Sequence, residues 1–372
     1  MANAELAVAA IDVGSGMTKF VVGVFTYKDK KIIEMEKLEK PIPYGVDWKR
    51  SNDENLSAEI QEQGIQVFRE INAILSKWKE QYKSKYPNIE LTGVGTEVFR
   101  KAKNGEHFLK KVETETGLKI KLISQELEAK LGFLTGKAAL LTIDGETLKD
   151  QFNYNEEKDL VVYDSGGGSF QITWNDRCNK FPESAGKEEL NTVLQPNGLA
   201  PTLHDLLKLQ NKDQQATPNP VTYQTAMTLV DKLIDKYIDP VDIEQLTTQG
   251  FDPFYLSIGG INSHVRLAAD VIKHIQTEKK TKNKTENAMV TPKFYSFTEQ
   301  SVTEALKRLC DKEDNQLEMF ATYENAEPAS YMVPKMCILL SALKGYKIPK
   351  LHWVMCCGSC FGLILNHIDE KI

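Results

Sequence analysis

The stretch Leu160-Val161-Val162-Tyr163-Asp164-Ser165-Gly166-Gly167-Gly168-Ser169-Phe170-Gln171-Ile172-Thr173-Trp174 sets an apolar run, an acidic residue, a glycine turn and a second apolar run in succession. Apolar runs of this length bounded by glycine predict two strands joined by a tight turn, with the Asp where the first strand ends. The same order opens the chain. Leu6-Ala7-Val8-Ala9-Ala10-Ile11 is followed by Asp12-Val13-Gly14-Ser15-Gly16, and the chain resumes as Phe20-Val21-Val22-Gly23-Val24-Phe25. Two halves that each begin this way predict a duplicated α/β architecture with a cleft between the copies. Three successive glycines between well-formed strands cost backbone entropy and contribute no packing, so something must approach the backbone closely at 166–168.

The intervening sequence alternates strand and helix signals. Ile32 to Met35 predicts a third strand. Ile60, Val67, Phe68, Ile71, Leu75 and Trp78 fall at helical spacing. Leu91 to Gly95 predicts a buried strand, Glu106 to Glu115 a helix, Ile120 to Ile123 a strand, and Glu126 to Leu134 the start of another helix. Met336 to Leu343 predicts a buried helix and His352 to Met355 a last strand. The polar runs Gln210 to Gln215 and Glu278 to Lys284 are expected to be solvated surface loops.

At 372 residues, with 41% hydrophobic and 26% charged side chains, the composition is that of a folded protein of about two domains. The net charge of -6 supplies no global positive field for a phosphate backbone, which argues against nucleic acid as the partner. No apolar run approaches the roughly 18 to 20 residues needed to cross a bilayer, and the first residues lack the pattern of an export signal. The expectation is a cytoplasmic protein without membrane contact. Among the six cysteines, Cys356, Cys357 and Cys360 crowd together near His352 and His367. Adjacent cysteines in apolar surroundings are expected to be reduced, buried small hydrophobes rather than a zinc site. No Gly-x-x-x-x-Gly-Lys-Ser/Thr string is present, so a P-loop fold is not indicated.

Asp12 and Asp164 each stand at a strand end beside a turn rich in backbone N–H groups, an arrangement suited to a metal-bound phosphate. Lys19 is close enough in sequence to Gly16 to add a point charge to a phosphoryl oxygen. Two such turns facing each other would hold both sides of a polyphosphate and its divalent ion. Tyr163 and Trp174, at strand positions flanking the second turn, are expected in the core.

The pairing of Asp12-Val13-Gly14-Ser15-Gly16-Met17-Thr18-Lys19 with Asp164 to Ser169, and the later Leu256-Ser257-Ile258-Gly259-Gly260, resembles the phosphate motifs of the actin-like ATPase superfamily. Gly95-Thr96-Glu97-Val98-Phe99-Arg100-Lys101-Ala102-Lys103-Asn104, then Thr116-Gly117-Leu118, Ile123-Ser124 and Glu128-Ala129, is similar to the exopolyphosphatase/guanosine pentaphosphate phosphatase family within it. The resemblance covers almost the whole chain, most weakly from about Asn175 to Phe251. It implies two ribonuclease-H-like domains flanking a cleft, over residues 1–135 and 136–372, with the last helix packing back on the first. It also implies a metal-dependent hydrolase that releases terminal phosphate from inorganic polyphosphate or guanosine pentaphosphate, with Mg²⁺ or Mn²⁺ as cofactor and a homodimer as family expectation.

Carried over residue by residue, the resemblance makes Glu128 the group that orients or deprotonates water and Arg100 an arginine facing the phosphates. Asp12 and Asp164 become the metal acids. Gly14, Ser15, Gly16, Lys19, Gly166, Gly167, Gly168, Ser169 and Gln171 become phosphate-binding. The chain departs from the family at Gly16 and Met17, where the string looks more like actin, and at Gln171, where the family has Glu. An amide there accepts a hydrogen bond but binds a cation less strongly than a carboxylate does. Two further readings therefore stand beside the first: an actin-like nucleotide-binding switch, and a nucleoside di- or triphosphatase.

Overall fold

The computed structural model describes residues 5–28, 31–142, 152, 154, 159–166, 170–175, 190–195, 198–247, 252–281, 294–320 and 328–370. In the first half β1 (Glu5–Val13), β2 (Met17–Thr26) and β3 (Lys31–Pro41) form an antiparallel meander. Helices α1 (Tyr44–Arg50) and α2 (Ala58–Gln81) lead to β4 (Glu90–Gly95), which runs parallel to β1. After α3 (Glu97–Lys101) and α4 (Gly105–Thr116), the short β5 (Lys121–Leu122) pairs parallel with β4, giving the order β3-β2-β1-β4-β5. The second half repeats this plan. β6 (Asp159–Ser165), β7 (Phe170–Asn175) and β8 (Leu190–Gln195) form a meander, and β9 (Pro253–Gly259) lies parallel to β6. β10 (Phe294–Phe297) and β11 (Leu351–Met355) complete the order β10-β11-β9-β6-β7-β8.

The predicted duplication is thus visible as topology: strands 3-2-1-4-5 of one sheet correspond to 8-7-6-9-11 of the other, with β10 as an added edge. Because β1 and β6 are central and covered on both faces, they are apolar runs rather than alternating ones. Val8 to Ile11 and Val161 to Tyr163 are 0–1% exposed. Tyr163 and Trp174 are in the core, as expected. The helices of the second half are α6 (Leu199–Leu209), α7 (Tyr223–Tyr237), α8 (Pro240–Leu246), α9 (His264–Thr281), α10 (Glu299–Leu309), α11 (Asp314–Leu317) and α12 (Met332–Gly345). Buried residues line every face of α12, and its sequence is accordingly apolar all round.

Two helices hold the halves together. α5 (Gln125–Thr142) carries Leu131 and Ala138 into the layer against the first sheet and Phe133, Ala139 and Leu140 into the layer against the second. The last helix, α13 (Cys360–Asp369), returns to the first sheet. Leu363 and Ile364 pack there with Val8, Ala10 and Val21. The close approach of α13 to α5 depends on Gly362, where a Cβ would fall 1.9 Å from the Leu131 carbonyl oxygen, and whose N–H donates to Thr135 Oγ1 at 2.8 Å. Gly362→Ala must push two backbones apart and is expected to cost roughly 2–3 kcal/mol. A thermal midpoint equal to wild type would show that this helix contact is not needed for stability.

The crowded cysteines sit at this seam. Cys357 and Cys360 are buried with Sγ atoms near the Phe20 and Ala10 carbonyls, at 3.8 Å each. The Cys357 thiol is held well above the usual range by its hydrogen bond with Cys360 and by burial. Both thiols act as small apolar side chains between α13 and the first sheet.

Candidate active site

The strand ends β1 and β6 point into one cleft between the halves. Its walls include Asp12, Gly14, Ser15, Gly16, Lys19, Glu128, Asp164, Gly166 and Gln171. Gly167, Gly168 and Ser169 lie outside the described residues. The first turn is closed by Gly14 N–H donating to the Met17 carbonyl at 2.9 Å, and α1 is tied to it by Gly45 N–H to the Ser15 carbonyl at 2.7 Å. Above Gly16 a Cβ would meet nothing within 4 Å, so that backbone faces open space.

Asp12 and Lys19 are register partners across β1 and β2, which puts Lys19 Nζ 3.6 Å from Asp12 Oδ2. Burial works against the Lys19 charge, but the carboxylates of Asp12, Asp164 and Glu39 outweigh it and hold the ammonium well above its usual pKa. Asp12 Oδ2 also accepts the Ser359 N–H at 2.9 Å. The loop that brings Ser359 there turns at Gly358, in the left-handed region with φ of 53°. A Cβ at Gly358 would fall 2.3 Å from Asp12 Oδ2 and 2.5 Å from Lys19 Cδ. Neither Gly358 nor Ser359 is signalled by a local motif. They reach Asp12 because the chain leaving β11 turns back to the first sheet to start α13.

On the opposite strand Asp164 and Gln171 are register partners, and Gln171 is 2% exposed. Burial raises Asp164 to about 6, against the pull of Lys19 and with the repulsion of Asp12. Asp164 and α5 approach closely because α5 presents glycines to β6: a Cβ at Gly132 would sit 3.0 Å from Asp164 Oδ2, and one at Gly136 2.6 Å from Val162.

That packing carries Glu128, in the first turn of α5, into the cleft. Its Oε2 accepts from Arg100 Nη2 at 2.9 Å, while Arg100 Nη1 donates to the Ile123 carbonyl at 2.8 Å. Burial pushes Glu128 up to about 8; Arg100 opposes the shift, while Asp164 and Asp12 add to it. Arg100 therefore grips Glu128 and the start of α5, and does not line the cleft itself. Asn104, in the same motif, is also a structural clamp. Its amide bonds both the N–H and the carbonyl of Leu56 at 2.8 Å. Thr96 and Glu97 line the cleft without having been singled out, and the ammonium of Lys101 pairs with Glu97.

Asp12, Asp164 and Glu128 repel one another; Lys19 beside Asp12 and Arg100 on Glu128 offset this only in part, and Asp164 and Glu128 are pushed toward protonation. A hard divalent ion suits such oxygen donors and would relieve that repulsion. Among the described residues no group of three or more His, Cys, Asp or Glu is placed to hold a metal ion by itself. Two carboxylates in an open cleft match the habit of Mg²⁺, which keeps waters and takes phosphate oxygens as further ligands. The residues present fit such an ion.

The profile of the Ppx/GppA phosphatase family matches residues 48–251. No curated protein matches the chain. Among solved structures it is similar to the Aquifex aeolicus member of the Ppx/GppA protein family, with TM-score 0.65 and 18% identity over 99% of both chains. It is similar as well to an exopolyphosphatase from Cytophaga hutchinsonii ATCC 33406, with TM-score 0.67 and 14% identity over 98% of both chains. A nucleoside triphosphate hydrolase from Neospora caninum aligns with TM-score 0.53 and 10% identity, over 99% of this chain and 93% of the other. At these identities the likenesses establish a common fold, that of the actin-like ATPases. With the family profile covering more than half of its residues, the chain belongs to the Ppx/GppA phosphatase family and is a phosphohydrolase of anhydride bonds.

Proposed function

We propose that the chain is a metal-dependent hydrolase that releases the terminal phosphate of inorganic polyphosphate or guanosine pentaphosphate. The observation that supports it most is the convergence in one cleft of Glu128, Asp12, Asp164 and Lys19 with Gly14, Ser15, Gly16 and Gly166. Hydrolysis of a phosphoanhydride requires that charge on the transferred oxygens be met by N–H groups and cations, and that a water be held in line with the leaving oxygen. Ser15, Gly16 and Gly166 would offer backbone N–H groups, with Gly14 shaping the turn, and Lys19 an ammonium. Asp12 and Asp164 would hold Mg²⁺ or Mn²⁺, which when bound neutralises phosphoryl oxygens. Glu128, fixed by Arg100, would take the proton of the attacking water at its carboxylate.

Among the described residues no helix is long and apolar enough to cross a membrane. The homodimer and the cytoplasmic location are part of the same proposal. The test is phosphate release from long-chain polyphosphate, guanosine pentaphosphate, ATP and ADP, with Mg²⁺ and with chelator. Release from either of the first two, lost in chelator, is expected. Gln171 beside Asp164 favours a second reading, a nucleoside di- or triphosphatase, which release from ATP or ADP alone would support. Tight ATP binding with no release from any substrate would overturn the hydrolase in favour of a nucleotide-binding switch.

A further inference from the structure

The second half lines the cleft with a group of polar residues that the hydrolytic machinery leaves unused. Asn262 and His264 follow β9, at the start of α9, and Lys335 projects from α12. His264 is 2% and Lys335 5% exposed. Lys335 Nζ donates to the Asn262 carbonyl at 2.6 Å, and His264, two residues on, lines the same cleft. Among the described residues, neither ring nitrogen of His264 and neither amide atom of Asn262 has a hydrogen-bond partner. Buried polar atoms without partners are rare and costly in folded proteins, and here four of them line a ligand cleft.

The chemistry of these atoms restricts what can satisfy them. Burial, and then the charge of Lys335, pull the His264 imidazole down to about 3, so the ring is neutral with one donor and one acceptor. The Asn262 amide likewise offers donors and an acceptor. A bare phosphate chain only accepts. It would satisfy Lys335 and the N–H groups, yet leave the imidazole nitrogen and the Asn262 oxygen facing anionic oxygens. A group that both donates and accepts, attached to a phosphate, satisfies the whole patch.

We propose that Asn262, His264 and Lys335 form a leaving-group subsite in which Lys335 takes a phosphoryl oxygen and Asn262 with His264 take a neutral donor–acceptor group, a sugar hydroxyl or a base edge. The subsite rests on the hydrolase reading for its place in the reaction and makes this chain selective for nucleoside phosphates over bare phosphate chains. Calorimetric binding of GDP, ADP and pyrophosphate to the full chain tests it independently of turnover. At least one nucleoside diphosphate is expected to bind roughly 10-fold or more tighter than pyrophosphate, the value of about one hydrogen bond. His264→Ala and Asn262→Ala should bring that ratio toward one, whereas Lys335→Met should weaken all three ligands. His264→Gln keeps a donor and an acceptor, so it should retain the preference even if the alanine variant does not fold.

Pyrophosphate binding as tight as that of both nucleotides, or a preference that survives His264→Ala and Asn262→Ala, overturns the subsite. Phosphate release is measured alongside. Release that persists while the preference is absent removes the subsite and leaves the hydrolase. A preference that depends on His264 with no release from any substrate removes the hydrolase and leaves the subsite.

Discussion

Glu128→Gln is expected to lower kcat by about 10² to 10⁴-fold, the usual effect of removing a general base, with substrate affinity changed only a few-fold. The amide keeps the shape and can still accept from Arg100 Nη2, which lies 2.9 Å from Oε2. What it loses is the capacity to take a proton. A variant with more than one-tenth of wild-type kcat would remove Glu128 from the chemical step. In the free enzyme Glu128 titrates near 8, so kcat/KM should rise with pH up to that region and the rise should be absent in the glutamine variant. The same shift has a stability consequence of definite sign. The unfolded carboxyl ionises near its ordinary value of 4.5 and the folded one near 8, so the folded state binds more protons between them. Wild type should therefore lose stability relative to Glu128→Gln as pH rises from about 4.5, with the full difference, on the order of a few kcal/mol, reached above about 8. Thermal midpoints of the two proteins at pH 5 and pH 9 check this; parallel pH dependences would contradict it.

The second large effect is expected at a residue that carries no functional group. Gly358→Ala places a methyl 2.3 Å from Asp12 Oδ2 and 2.5 Å from the Lys19 stem, on a backbone with φ of 53° that disfavours any side chain. Asp12 cannot move away without giving up the Ser359 N–H bond of 2.9 Å. A displacement of about 1 Å in a reacting array costs on the order of 10²-fold, so activity should fall at least that far. The predicted loss is in activity and in affinity for the divalent ion, with folding retained, because the clash lies at the cleft and not in a core layer. Activity within threefold of wild type would mean that the Asp12–Lys19 pair tolerates repositioning.

That Asp12 with its glycine turn and Asp164 with Gly166 belong together was legible because each stretch is contiguous: a strand, an acid and glycines in succession, repeated. Glu128 and Arg100 were legible for a similar reason, since both lie within one segment that looks like the family. In the structure that segment is divided between Glu128, which lines the cleft, and residues that hold the scaffold. Arg100 turns onto Glu128 and the Ile123 carbonyl, and Asn104 clamps Leu56. Such roles depend on where α5 and the chain after Ser51 are placed by packing, which no spacing encodes. Gly358 and Ser359, Asn262 and His264, and Lys335 were not found because they come to the cleft from three different returns of the chain. Their neighbours in sequence are ordinary helix starts and core positions. The duplication was legible in the two strand–acid–glycine–strand units, whose first strands are apolar because both faces are covered; the order of the strands in the two sheets came only with the structure.

The return of α13 to the first sheet sets an order of events during synthesis. Val8, Ala10 and Val21 are covered by Leu363 and Ile364, which emerge some hundreds of residues later. At a synthesis rate of about 5–20 residues per second the first sheet must wait for roughly a minute or less with that face uncovered. The half that appears first is thus completed last. An apolar sheet face waiting for its final helix is a natural client for a chaperone, and a chain released before α13 would expose the same face permanently.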